Sequence, residues 1–182
     1  MPEHVGTESV ILVDEQDRDT GIMEKLRAHE LGVLHRAFSV FLLNGKGEIL
    51  LQQRAAEKYH SPGLWSNTCC SHPRPGEEVH DAARRRLREE MGLDCALQPL
   101  YRFVYRAAFG NGLTEHEYDH VFVGRCDDEP TLNPDEVQAW RYADIEHLRN
   151  ELSDSPEQYS VWLALCFAEV APLLQHFHQQ NA

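Results

Sequence analysis

Between Tyr59 and Glu77 the chain turns twice, at Pro62-Gly63 and again at Pro73-Arg74-Pro75-Gly76. Proline fixes φ and glycine tolerates positive φ, so neither turn can be absorbed into a neighbouring helix or strand. Only Leu64 to Cys70 is left to run extended between them, and whatever follows Glu77 must be a new element. That element is the clearest helix in the sequence, Glu78 to Met91, with Gly92 as its stop. Cys70 and His72 sit two residues apart at the end of the extended run, where side chains repeat every second residue. A thiol and an imidazole therefore look into one pocket. Alone, such a pair is most simply core filler; its meaning depends on what else converges there.

The flanking sequence supplies strands and helices in alternation. Val10 to Val13 is a short apolar strand, Asp14 to Gly21 a polar loop, and Met23 to His29 a short helix stopped by Gly32, with Lys25 and His29 one turn apart on one face. Leu34 to Leu43 and Glu48 to Arg54 are strands joined through the hairpin signal Asn44-Gly45-Lys46-Gly47, and His35, Ala37, Ser39 and Phe41 share a side. Leu100 to Ala108, Glu115 to Arg125 and Asp135 to Tyr142 are further strands, Ala143 to Glu151 a short helix, and Pro156 to Phe177 a long helix interrupted near Pro172. At 182 residues, without repeats or a low-complexity linker, the chain is expected to fold as one domain. A domain of that size buries roughly 70% of its unfolded surface.

The net charge of −13 argues against a nucleic-acid or anionic-membrane surface. An anionic substrate would need local cations or a bound metal. The five cysteines are an odd number without regular spacing, and Met1 to Ser9 lacks the basic and apolar regions of an export signal. Both point to reduced thiols in the cytoplasm. No run approaches the ~18 apolar residues that a membrane span requires.

Two segments place charge where apolar groups are expected. In the 78–91 helix Val79, Ala82, Ala83, Leu87 and Met91 form the apolar side, and Arg86 and Glu90 project from the middle of it. They could be a plain i,i+4 ion pair or part of a site wall. His116-Glu117-Tyr118-Asp119-His120 matches the zinc-protease pattern HExxH, which needs a helix to bring its histidines together. Here it follows Gly110-Asn111-Gly112 and runs into Val121-Phe122-Val123, so it is a strand. On a strand Glu115 and Glu117 are the same-face pair, with Val121 and Val123 continuing that face inward. Two inward carboxylates are costly unless a cation lies between them.

The segments Leu34-His35-Arg36-Ala37-Phe38-Ser39, Trp65-Ser66-Asn67-Thr68-Cys69-Cys70-Ser71-His72-Pro73 and Glu115-His116-Glu117, with Ala28-His29 before them and Trp162 after, resemble type I isopentenyl-diphosphate Δ-isomerase, a branch of the Nudix superfamily. The resemblance covers nearly the whole chain. The Nudix box, Gly-x5-Glu-x7-Arg-Glu-x-x-Glu-Glu-x-Gly, persists in altered form: Glu77, Arg85, Glu89, Glu90 and Gly92 fit, Ser71 replaces the first Gly, and Arg86 replaces a metal-binding Glu. An arginine among carboxylates opposes metal-assisted hydrolysis and suits gripping a diphosphate that stays intact.

The resemblance implies an α/β Nudix fold, a mixed sheet between helices. It implies an N-terminal segment 1–32 that contributes to the site, a catalytic unit 33–167 and a C-terminal helix end and tail 168–182. Its expected activity is interconversion of isopentenyl and dimethylallyl diphosphate, the alternative being a Nudix hydrolase of nucleoside diphosphate derivatives. By resemblance, His29, His35, His72, Glu115 and Glu117 hold one Mn²⁺ (or Mg²⁺ or Zn²⁺), and Glu90 holds an Mg²⁺ that bridges the phosphates. Lys25, Arg54, Lys58 and Arg86 contact the diphosphate. Cys70 works on one face of the alkene and Glu117, partnered by Tyr105, on the other, with Trp162 over the cation between them. Cys69 faces the other way. The partner is a small isoprenoid diphosphate, and the chain is expected to act as a monomer.

Overall fold

The computed structural model describes residues 8–182; the first seven residues, and with them the start of the expected 1–32 segment, lie outside the described residues. The centre of the fold is β3 (His35–Leu43), nine residues of which eight are buried. It pairs in parallel with β8 (Thr114–Arg125) over His35↔Glu117 to Leu43↔Arg125, and antiparallel with β6 (Cys69–Ser71). β7 (Gln98–Ala108) lies antiparallel outside β8. β4 (Ile49–Arg54) leaves β3 after a single pairing, Leu43↔Ile49, to join β9 (Val137–Ala143) and the two-residue β5 (Trp65–Ser66). The result is a mixed sheet whose central strands are buried on both faces.

Alternation along β3 sorts its side chains into two cores. Phe38, Val40 and Leu42 meet Ala82, Ala83, Leu87 and Met91 of α2 (Val79–Met91), with Cys69 and Phe122. Phe41 and Leu43 meet Val121, Val123 and the apolar side of α4 (Val161–Gln180). Each such large side chain contributes about 1.5–3 kcal/mol when fully buried. The odd-numbered face of β3 that carries His35 is therefore the α4 face, and Cys69 packs under the α2 face, away from it. α2 ends at Gly92, with φ 65° and an ideal Cβ position only 2.6 Å from the Thr131 carbonyl oxygen, so a side chain there would meet both strain and a clash.

Four expectations are corrected. The polar stretch after Val13 is not all loop: Asp19–Glu24 forms β2, antiparallel to β1 (Ser9–Val13). Its first four residues are exposed, so no apolar alternation announces it, and pairing with β1 supplies the order. The following helix, α1 (Lys25–Leu31), starts later than Met23 because the Glu24 carboxylate caps the backbone amides of Leu26 and Arg27. α4 runs through Pro172 without a break, held by Val170, Ala171 and Leu174 in the core; the chain breaks earlier, between a 3₁₀ turn (Pro156–Gln158) and α4. Finally, the cysteines are not all free thiols. Cys95, just past α2, and Cys126, just past β8, form a disulfide with Cα atoms 6.2 Å apart. Cys69, Cys70 and Cys166 are free, and cysteine usage no longer argues for a reducing compartment.

β9 and α3 (Ile145–Asp154) start two residues after the sequence places them, the helix because Asp144 caps Glu146 and His147. Among the described residues no helix is long and apolar enough to cross a membrane.

Candidate active site

Strand register builds the floor of the site. The parallel pair β3–β8 sets His35 against Glu117, and the antiparallel pair β7–β8 sets Tyr105 against Glu117 and Ala107 against Glu115. The Tyr105 hydroxyl donates to Glu117 Oε2 at 2.7 Å and, more weakly, to Glu115 Oε2 at 3.4 Å. β8 is a strand through the whole HExxH segment; His116 and His120 point away from Glu117 and engage Gly32 O and Asp17 respectively.

Above that floor three imidazoles converge. His29 Nδ1 lies 2.7 Å from Lys25 O and His35 Nδ1 2.9 Å from Val33 O. A carbonyl only accepts, so both Nδ1 atoms carry a proton, and in the neutral ring each Nε2 then presents a lone pair to the interior. Those two Nε2 atoms are buried and have no hydrogen-bond partner. They stand 3.5 Å from Glu115 Oε1 and Glu117 Oε1, while His72 Nε2 is 2.8 Å from Glu117 Oε1. The donor atoms of His29, His35, His72 and Glu117 all lie within 4.8 Å of one another, and a second group joins His29, Glu115 and His60. Lone pairs and carboxylates facing one point, with backbone carbonyls locking the outer nitrogens, fit a divalent cation. Without one, the burial would be uncompensated.

The electrostatics agree with the crowding. Burial would raise the Glu117 pKa, but His35 beside it and the hydrogen bond from Tyr105 outweigh it and bring it down to about 2. Burial pushes His72 well below the usual imidazole range, helped by His35 and Lys25. Burial likewise lifts the Cys70 thiol to about 12, Arg54 opposing and Glu90, Asp119 and Glu117 adding to the rise. At neutral pH the thiol is protonated and the Glu117 carboxylate is ionised.

Cys70 and Glu117 line one cleft together with Tyr105 and Trp162. The β3–β6 register puts Cys70 opposite Ser39, on the side facing α4. Trp162 is buried, its indole N–H bonded to Asn67 Oδ1 at 3.1 Å. Asn67 is itself tied to Val40 O and Cys69 O, so the strand that carries Cys70 also fixes the indole.

Lys25, Arg54, Lys58, Arg86 and Glu90 complete the lining. Arg54 lies 5.2 Å from the Trp162 ring centroid. Lys25 pairs with Glu8 at 2.8 Å, and Lys58 with Glu136. Arg86 reaches Glu90 at 2.6 Å, Glu89 at 2.8 Å and Glu136 at 3.2 Å, so both sequence-level readings of the Arg86–Glu90 pair hold at once.

Of the expected site residues, Lys25, Arg54, Lys58, Cys70, His72, Arg86, Glu90, Tyr105, Glu115, Glu117 and Trp162 line one cleft, His29 and His35 lie against its Glu115 and Glu117, and three others join them. Asp119, on the same face as Glu115 and Glu117, is buried, accepts from Ser39 at 2.8 Å and leaves Oδ1 without a partner. Extending the strand alternation by one step would have found it. Glu136 sits in a turn, and His60 in the loop after β4, where no periodicity reveals direction. Burial pushes His60 down to about 3, so it is neutral.

A NUDIX domain model matches residues 33–165, which is most of the chain. The solved structure of DR0079 from Deinococcus radiodurans aligns with a TM-score of 0.75 at 23% identity, covering 90% of this chain and 99% of that one, a likeness of fold. "Isopentenyl-diphosphate Delta-isomerase 2" of Aromatoleum aromaticum is 56% identical over 163 residues, covering 90% of this chain and 86% of that protein. "Isopentenyl-diphosphate Delta-isomerase" of Pectobacterium atrosepticum is 52% identical over 173 residues, covering 95% and 97%. With a Nudix fold, this cleft and relatives matched over most of both lengths, the chain belongs to the isopentenyl-diphosphate Δ-isomerase family of the Nudix superfamily.

Proposed function

We propose that the protein interconverts isopentenyl and dimethylallyl diphosphate by adding a proton to one carbon of the alkene and removing one from another. The observation that carries this reading is the shared cleft in which the protonated Cys70 thiol and the ionised, Tyr105-bonded Glu117 carboxylate both face the interior. One group holds a proton to deliver and the other is free to accept one, as a 1,3-shift requires. Going forward, a proton moves from sulfur to carbon and another from carbon to the carboxylate, and exchange with water resets both groups. The tertiary cation between these steps must be kept from water. The Trp162 indole lines that space and stabilises a desolvated cation by about 2 kcal/mol.

His29, His35, His72, Glu115 and Glu117 would hold one divalent ion, Mn²⁺ (or Mg²⁺ or Zn²⁺), supported by the two orphaned Nε2 atoms. When bound, the ion supplies charge that fixes the Glu117 carboxylate beside Tyr105. At the mouth, Lys25, Arg54, Lys58 and Arg86 grip the diphosphate, and Glu90 would hold the Mg²⁺ that accompanies it. We further propose that it acts as a monomer in the cytoplasm.

The test is direct. Purified protein incubated with isopentenyl diphosphate and Mg²⁺ is expected to yield the acid-labile allylic isomer with no release of phosphate. Phosphate release from nucleoside diphosphate derivatives, with no allylic product, would overturn the proposal in favour of a hydrolase. Arg86 in the position of a metal-binding glutamate favours the isomerase.

A further inference from the structure

His60 is not one of the five expected metal ligands, yet it is 8% exposed and enters the site from a loop. Its Nε2 lies 3.1 Å from Glu115 Oε1, and its Nδ1 is buried without any partner. A carboxylate oxygen only accepts, so the ring nitrogen that faces it, Nε2, is the one that carries a proton. Glu115 Oε1 also lies 3.5 Å from the bare Nε2 of His29. The Nε2 edge of His60 thus approaches that oxygen from one side and the Nε2 of His29 from another.

The ring is held on several sides. It stacks on Phe109 with centroids 5.5 Å apart and planes at 14°, and meets Tyr59 and Trp162 edge to face at 4.6 Å and 6.0 Å. Its carbonyl accepts from the Arg54 guanidinium at 3.2 Å, and the next residue, Ser61, has a φ of 50°. A non-glycine residue in that region costs about 1–3 kcal/mol and persists only where surrounding contacts over-determine it.

Glu115 needs such support more than Glu117 does. Glu117 receives the strong Tyr105 bond at 2.7 Å, whereas the Tyr105 contact to Glu115 is 3.4 Å long. We infer that His60 is a positioning residue for the metal centre: its Nε2–H fixes the Glu115 carboxylate so that the oxygen shared with His29 faces the ion. This rests on the reading of His29, His35, His72, Glu115 and Glu117 as the metal site. It also ties the loop that carries Lys58, two residues earlier, to the opposite end of the cleft.

Mn²⁺ titration of the metal-stripped full-length protein by calorimetry, without substrate, tests it. His60→Phe keeps the aromatic stack and loses the donor; His60→Gln keeps an N–H at the Nε2 position. His60→Phe is expected to weaken Mn²⁺ binding about 10- to 100-fold, as loss of an orienting partner typically does. His60→Gln should stay within about threefold of wild type. In a Glu115→Gln background, His60→Phe should cause no further loss. Equal weakening by Phe and Gln, or a full additional loss in that background, would assign His60 to packing and overturn the inference. So would unaltered Mn²⁺ affinity in His60→Phe. If wild-type protein takes up no Mn²⁺, it is the metal site itself that fails. Should His60→Phe not fold, the Gln variant and the wild-type and Glu115→Gln titrations still decide: weakening by Gln of tenfold or more contradicts the donor role.

Discussion

The two ends of the cleft solve opposite problems. At the floor, His29, His35, His72, Glu115 and Glu117 turn lone pairs and negative charge toward one point, and two imidazole nitrogens have no partner at all. At the mouth every cation of the Lys25, Lys58 and Arg86 set is already paired, with Glu8, with Glu136, or with Glu89, Glu90 and Glu136. A cation held at the floor would take up those lone pairs, so its binding would add to the stability of the fold. Arg54, the fourth cation of the mouth, bonds only the carbonyls of Ser61 and His60; at the other three a diphosphate must share or displace carboxylates, and its affinity is what remains after that competition. An ion that stays and a substrate that leaves call for this division.

The largest effect expected is on chemistry at the floor. Cys70→Ala and Glu117→Gln should each lower turnover by at least about 10³-fold while circular dichroism shows an unchanged fold. Near-wild-type turnover in either would dissolve the contrast, because the floor would then be structural only. Next comes removal of the ion. If it binds with [L] near 1,000 Kd, stripping it costs about 4 kcal/mol. For a domain of this size that is a fall in Tm of roughly 8–16 °C. Chelation that leaves Tm unchanged would mean that the floor is as self-sufficient as the mouth.

The sequence revealed the floor better than the mouth, for a geometric reason. On β3 and β8 the two-residue repeat tells which side chains share a face, so His35, Glu115 and Glu117 could be directed inward before any register was known. The i,i+4 step did the same for Arg86 and Glu90. Assembling them with His29 and His72 required the family resemblance, since spacing along the chain does not specify which strands pair. Glu136 and His60 lie in turns and loops, where nothing repeats and direction depends on tertiary contacts. The backbone around Glu136 is set by Asn133 N–H bonding to Glu90 O and Ala55 N–H bonding to Glu136 O, contacts between residues far apart in sequence. β2 was missed because its exposed residues carry no apolar pattern, and the Cys95–Cys126 disulfide because a pairing between loop ends leaves no local trace.

Glu136 tests the mouth most sharply. Both of its carboxylate oxygens are occupied, Oε2 by Lys58 and Oε1 by Arg86. Glu136→Gln should cost about 1–2 kcal/mol of stability, a half-buried pair being worth more than a surface one and less than a buried one. It should also tighten binding of inorganic pyrophosphate severalfold, because two cations lose their internal competitor. The pH dependence identifies the cause. Burial alone would raise the Glu136 pKa, but Lys58 and Arg86 hold it below the usual 4.5. A carboxylate depressed on folding contributes stability that is fully present above 4.5 and lost as pH falls through the lower folded value. The stability gap between wild type and Glu136→Gln should therefore be constant at neutral pH and close below pH 4.5. Glu8→Gln is the milder version of the same experiment. Glu8 is more than half exposed, so its pair with Lys25 is worth about 0–1 kcal/mol and fades with salt. Pyrophosphate affinity should rise by less than about twofold. If Glu8→Gln matched Glu136→Gln in both readouts, burial would not be what sets the strength of competition at the mouth, and the self-pairing of these cations would be incidental to how the cleft admits its anion.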